Sequence, residues 1–161
     1  MPTAYIALGA NLGQPAQQLS EALRQLAQVP GIQLDQCSPF YRTAPLGPAG
    51  QPDYCNAVCA VDATLPPETL LQQLLKLELC AGRSRNGERW GPRLLDLDLL
   101  HVEGASRCSA TLTLPHPEIA HRNFVLVPWA DIAPELEIPG VGRVGLLARR
   151  IGRNGLAPWH D

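Results

Sequence analysis

Long apolar runs are missing from this 161-residue sequence. The longest stretches, such as Phe124–Ala130, fall far short of the roughly 20 residues a bilayer-crossing helix needs, so no membrane partner is expected. A leader is missing as well: Met1–Gly9 has no basic residue, and the apolar Tyr5–Leu8 is too short for the core of a signal peptide. Cysteine is sparse and unpatterned, with five residues (Cys37, Cys55, Cys59, Cys80, Cys108) and no CxxC spacing. That excludes a disulfide framework and a zinc site and points to reduced thiols in the cytosol, hence a cytoplasmic location. Positive charge is not in excess; a net charge of −2 gives no reason to expect nucleic acid as a partner. Only 5% of residues are aromatic. No GxxxxGK[ST] phosphate loop occurs, and the glycine turn Gly9-Ala10-Asn11-Leu12-Gly13 does not fit that pattern. Repeats and low-complexity tracts are absent too, so residues 1–161 read as one domain.

What is present is an ordinary globular composition, 45% apolar and 17% charged, enough for one sizeable core. Thr3–Leu8 reads as a buried strand ended by Gly9. Leu19, Ala22, Leu23 and Leu26 recur at helical spacing until Pro30-Gly31. Ile32–Tyr41 reads as a strand, and Arg42–Asp53, with Pro45, Pro48 and Pro52, as a loop. Tyr54–Val61 is the next strand. Pro66 and Pro67 open a second helix whose apolar face is Leu70, Leu71, Leu74, Leu77 and Leu79. After Gly82 and an arginine-rich loop comes the strand Leu94–His101, with Thr111–Leu114 as a short edge strand. Helical pieces follow around Phe124–Ala130 and Val144–Arg150. The order is βαββαβ, which is the α+β, ferredoxin-like pattern: an antiparallel sheet covered on one face by helices, with a C-terminal helical extension. That fold hosts enzymes, RNA binders and sensing domains alike.

Asp96-Leu97-Asp98 carries the strongest chemical signal. Alternation along a strand puts both carboxylates on one face, about 7 Å apart, where they repel unless a cation joins them. Oxygen ligands of this kind suit Mg²⁺. An isolated Asp-x-Asp is more often a solvated strand face, but here Arg83, Arg85, Arg89 and Arg93 stand immediately upstream. Guanidinium groups grip phosphate oxygens in bidentate geometry, and Gly82, Gly87 and Gly91 let such a segment close and reopen. Arginines followed by paired acids describe a polyphosphate held between Mg²⁺ and guanidinium groups. Farther on, His116 could donate to phosphate or move a proton, Arg122 adds a cation, and Phe124 an aromatic face. His101 and His121 read as structural. In Tyr41–Asn56, Tyr54 and Asn56 share a strand face and offer a stacking surface beside an amide.

With these residues the chain resembles the 6-hydroxymethyl-7,8-dihydropterin pyrophosphokinases. The resemblance runs from the glycine turn at Gly9 to Ala133-Pro134. It is most specific at Phe40-Tyr41-Arg42-Thr43 with Pro52-Asp53-Tyr54, at Arg89-Trp90-Gly91-Pro92-Arg93 running into Asp96-Leu97-Asp98, and at Leu114-Pro115-His116. It implies transfer of the β,γ-diphosphate of ATP to the hydroxymethyl oxygen of the dihydropterin, with release of AMP, in folate biosynthesis. It implies that Asp96 and Asp98 hold two Mg²⁺ ions and that Arg83, Trp90 and Arg93 serve the nucleotide on a moving loop. His116 and Arg122 would bind the α- and β-phosphates. Tyr54 and Phe124 would sandwich the pterin while Thr43, Asn56 and the backbone of Leu46 read its edge, with Glu78 close by. The chain departs from the family pattern at Asn86, Thr111 and Pro117. A monomer is expected, since no long exposed apolar stripe calls for a dimer. The rival readings are a non-catalytic RNA-binding module, against which stand the negative net charge, the few aromatics and the lack of a K/R-G-F/Y-G/A-F motif, and a small-molecule-sensing domain of the same fold, which needs neither the paired acids nor the arginine loop.

Overall fold

The structure is a computed structural model that describes residues 2–44, 52–81 and 95–160. The first strand, β1 (Thr3–Ala10), runs two residues past the expected end at Leu8, because Gly9 and Ala10 still pair with Asn56 and Cys55 of β4 (Tyr54–Ala63). Helix α1 (Pro15–Gln28) opens on a proline, whose missing N–H costs nothing in the first turn, and buries Leu19, Ala22 and Leu26.

The strand expected over Ile32–Tyr41 is two strands, β2 (Ile32–Cys37) and β3 (Tyr41–Thr43). Pro39 has no N–H for a ladder, and Ser38 bridges the break: its N–H donates to Val58 O at 2.9 Å and its hydroxyl accepts from Val58 N–H at 3.0 Å. Arg42 and Thr43 therefore lie in a strand and not in the expected loop, whose residues 45–51 fall outside the described residues.

Helix α2 (Pro67–Cys80) buries Leu70, Leu74 and Glu78; the expected Leu79 is 47% exposed, since it lies one position off that i, i+4 row. β5 (Asp96–Val102) begins later than expected and pairs with β1. Thr113–Leu114 is not an edge of the main sheet. As β7 it forms a separate hairpin with β6 (Arg107–Cys108), closed by bonds between Ser109 and Leu112. Helix α3 (Asn123–Ile132), the small ladder of β8 (Glu137–Ile138) and β9 (Gly142–Arg143), helix α4 (Val144–Ile151) and β10 (Leu156–Pro158) complete the chain. No helix of the described residues is long and apolar enough to cross a membrane.

The main sheet has the order β10-β3-β4-β1-β5, with β2 also on β4, and all its pairings are antiparallel. Its first face packs Ile6, Leu8, Val61 and Leu97 against α1 and α2. Its second face packs Tyr5, Val58 and Leu100 against Val125, Leu126 and Trp129 of α3 and Val144 of α4. The expectation of helices on one face is thus corrected: the sheet is covered on both. Strand alternation is what allows this, since β1 and β4 are apolar at every second position on either side.

Candidate active site

Register decides which side chains meet. Thr43 pairs with Tyr54, while Tyr41, Asn56, Gly9 and Asp96 form one row across four strands, and Val58, Ala7 and Asp98 form the next. Partners in a ladder share a face, so Thr43, Tyr54, Asn56, Asp96 and Asp98 all project from the second face, at the end of the sheet that α3 leaves partly uncovered. Asn56 and Asp96 are separated by Gly9 alone, about 10 Å between backbones at the usual strand spacing.

Gly9 has a steric reason. A Cβ there would meet Asn56 Oδ1 at 2.8 Å, so the bare backbone is what lets the Asn56 amide lie over β1. That amide is fixed from its other side, because Asn56 Nδ2 donates to Thr43 Oγ1 at 2.7 Å. Both residues are buried, and a buried amide without such a partner would be destabilising. Asn11, also buried, donates from Nδ2 to Pro52 O at 3.1 Å and so ties the turn after β1 to the approach to β4.

Among the described residues β5 ends the sheet, so one row of its backbone groups has no described strand beside it. Glu78 of α2 fills that role at the critical point: its Oε2 accepts from Leu97 N–H at 2.8 Å, between the two aspartates. The carboxylate is buried, and it fixes the backbone from which Asp96 and Asp98 project. Arg122, just before α3, lies 3.7 Å from Asp98 Oδ2 and 5.9 Å over the ring of Phe124. The cation demanded by two adjacent acids is thus supplied in part by the protein itself.

His116 follows β7, with its N–H on Leu100 O at 2.9 Å. Its Nδ1 accepts from Glu118 N–H at 3.1 Å, so the neutral ring carries its proton on Nε2. Burial, and then the Arg122 charge, push its pKa below the ordinary value, against a smaller opposing pull from Glu118 and Asp96. His116 is therefore a neutral donor at physiological pH. His101 is different in kind. It is buried in stacked contact with Tyr5, its Nδ1 has no hydrogen-bond partner among the described residues, and burial depresses its pKa. His121 is exposed.

Of the residues the sequence singled out, the fold brings Thr43, Tyr54, Asn56, Asp96, Asp98, His116, Arg122 and Phe124 to this end of the second face. Arg83, Trp90, Arg93 and Leu46 lie outside the described residues. Gly9 and Asn11 belong to a glycine turn that the family resemblance includes but to which it assigns no role; the steric contact with Asn56 and the bond to Pro52 arise only from the strand register. Two carboxylates are too few to cage a metal ion, and no cluster of three or more acids, histidines or cysteines occurs among the described residues. They fit an ion such as Mg²⁺ that keeps water and phosphate oxygens as its other ligands.

Comparison with known proteins places the chain in a family. The family model described as 7,8-dihydro-6-hydroxymethylpterin-pyrophosphokinase (HPPK) matches residues 5–134. The chain is 45% identical over 140 residues to the 2-amino-4-hydroxy-6-hydroxymethyldihydropteridine pyrophosphokinase of Methylorubrum extorquens, spanning 87% of this chain and 88% of the relative. It is 45% identical over 139 residues to that of Haemophilus influenzae, 86% of each. The one from Pseudomonas aeruginosa is 44% identical over 135 residues, 84% of this chain and 83% of that protein. Among solved structures, Plasmodium falciparum HPPK-DHPS with pteroate superposes with a TM-score of 0.74 at 12% identity, over 92% of this chain and 42% of that longer one. At that identity the likeness speaks to the fold alone.

Proposed function

The chain belongs to the 7,8-dihydro-6-hydroxymethylpterin-pyrophosphokinase family, and from that premise we propose that the row Asn56–Gly9–Asp96, with Asp98 and Arg122, is its active site. The enzyme transfers a pyrophosphoryl group from ATP to the hydroxymethyl group of the dihydropterin. The hydroxymethyl oxygen bonds to the β-phosphorus, the bond from that phosphorus to the bridging α,β-oxygen breaks, AMP carries the oxygen away, and the hydroxyl proton is released. The RNA-binding and sensing alternatives are not favoured, because the relatives are pyrophosphokinases.

The observation that carries the site assignment is the shared register row. It sets a buried, pre-oriented amide across a single intervening strand from a pair of acids, which suits bringing a heterocycle edge and a triphosphate together. Asn56, held by Thr43, reads the pterin edge, and Tyr54 and Phe124 supply its stacking faces. Asp96 and Asp98 would hold Mg²⁺, two ions by family likeness, which when bound neutralises charge on the transferring phosphates. Arg122 gives its guanidinium, and His116 its Nε2–H, to the α- and β-phosphates. Arg83, Trp90, Arg93 and the backbone of Leu46 keep the roles that family likeness assigns them. A single domain over residues 1–161, acting as a cytoplasmic monomer, completes the reading; the five cysteines, all free, suit a reducing compartment.

Product analysis tests the reaction. Incubation with ATP, Mg²⁺ and the hydroxymethyl dihydropterin should yield AMP and pterin diphosphate in equal amounts. ADP as the nucleotide product would mean single-phosphoryl transfer and would contradict it.

A further inference from the structure

The outer edge of β3, the strand that carries Thr43, is covered by β10, which lies beyond the residues matched by the family model. Leu156 pairs with Thr43, Ala157 with Arg42 and Pro158 with Tyr41. The chain then turns so that Trp159 N–H donates to Phe40 O at 3.0 Å, and the indole packs against the first core. The Arg42 guanidinium sits over that indole, 4.1 Å from the ring centroid. The same guanidinium reaches Asp53, the residue before Tyr54, at 3.6 Å and the His160 carbonyl at 3.5 Å. Arg42 and Asp53 have side chains 40% and 44% exposed, so their ion pair alone contributes little. In series, however, these contacts join the end of the chain to both segments that carry substrate-reading side chains. They reach β3 through the ladder and the start of β4 through Asp53.

Resting on the reading that Thr43, Tyr54 and Asn56 hold the pterin, we infer that Trp159 and Arg42 form a strap that positions these residues for the pterin substrate. Without the indole plate the guanidinium is released to solvent and Asp53 loses its tether. The Thr43 hydroxyl, which orients Asn56, then rests on a strand held less tightly. The effect is confined to the pterin, because the nucleotide groups placed above, Asp96 and Asp98 of β5, His116 after β7 and Arg122 before α3, stand on none of β3, β4 and β10, and β5 lies at the opposite end of the described sheet from β10. Trp159 and Arg42 are positioning residues and need touch neither substrate.

Steady-state kinetics of the full chain test the strap with Trp159→Ala, Arg42→Gln, the double variant and Trp159→Phe. Each single loss should raise KM for the pterin about three- to tenfold, the size of a partly exposed cation–π contact, while kcat and KM for ATP stay at wild-type values. The double variant should be no worse than the more affected single one, since both remove one interaction. Trp159→Phe should largely restore wild-type behaviour, because its ring also holds a cation. Unchanged pterin KM in Arg42→Gln would overturn the strap, and so would pterin and ATP KM rising together or additive losses in the double variant. If Trp159→Ala fails to fold, Arg42→Gln, at a half-exposed side chain, decides alone. An inactive wild type would overturn the functional reading and the strap with it, whereas an active wild type with insensitive variants overturns the strap only.

Discussion

Individual side chains at this site are held by bonds that fix their chemical state. His116 accepts from Glu118 N–H, which fixes the proton on Nε2, and both burial and Arg122 oppose a second proton. His101 is held neutral by burial. Both folded pKa values therefore lie below the ordinary value of 6.5. Above that value neither ring makes stability depend on pH. As pH falls below it, the unfolded chain takes up protons that the folded protein refuses, so stability declines until the folded values are passed. Thermal melts between about pH 7.5 and 5 should show this decline, and it should be shallower when His101→Asn and His116→Gln are combined. An identical slope in that variant would mean that carboxylates alone set the acid limit. These states were not legible in the sequence. Motif context does not say which ring nitrogen of His116 carries the proton; the Glu118 N–H and the neighbouring Arg122, both set by the fold, decide that.

Whole elements show which features are written locally and which are not. The common face of Asp96 and Asp98 follows from strand alternation and needs no tertiary knowledge, so it was readable. The same holds for the helical rows Leu19–Ala22–Leu26 and Leu70–Leu74. Glu78 was different: the leucine pattern implies an apolar stripe ending at Leu79, yet the row ends on a buried carboxylate. The reason lies on another element, in the Leu97 N–H, which among the described residues meets Glu78 where a strand would otherwise stand. Glu78→Ala should cost about 1–3 kcal/mol, as expected for leaving a buried N–H without its acceptor, and should lower activity by loosening the backbone between the aspartates. Glu78→Gln keeps an acceptor and should lie between that variant and wild type. Urea unfolding beside activity checks both; full stability in Glu78→Ala would show that β5 does not depend on α2 in this way. The break between β2 and β3 was likewise hidden, since Pro39 alone does not reveal that both halves stay on β4.

At the scale of the molecule, the sheet is a partition with a core on each side, and the proposed site lies on the second face, where β4, β1 and β5 align Asn56, Gly9 and Asp96. Element order implied the ferredoxin-like sheet, but the placement of α3 and α4 on the second face depends on packing between distant segments. That packing brings Arg122 to Asp98, which adjusts the expectation that the two acids simply repel one another without metal. Removing Asp98 also takes away one partner of a largely buried guanidinium, so Asp98→Asn should be somewhat less stable than Asp96→Asn before any ligand is added. The gain on ligand binding, taken within each protein, is therefore the quantity that isolates the metal–nucleotide role. The most direct test is a thermal melt of wild type, Asp96→Asn and Asp98→Asn with and without Mg-ATP. Wild type should be stabilised by about 2.7 kcal/mol at a hundredfold excess over Kd, and each variant by far less under the same conditions. A variant that keeps the full wild-type gain would contradict the assignment of this strand as the site that holds Mg-ATP.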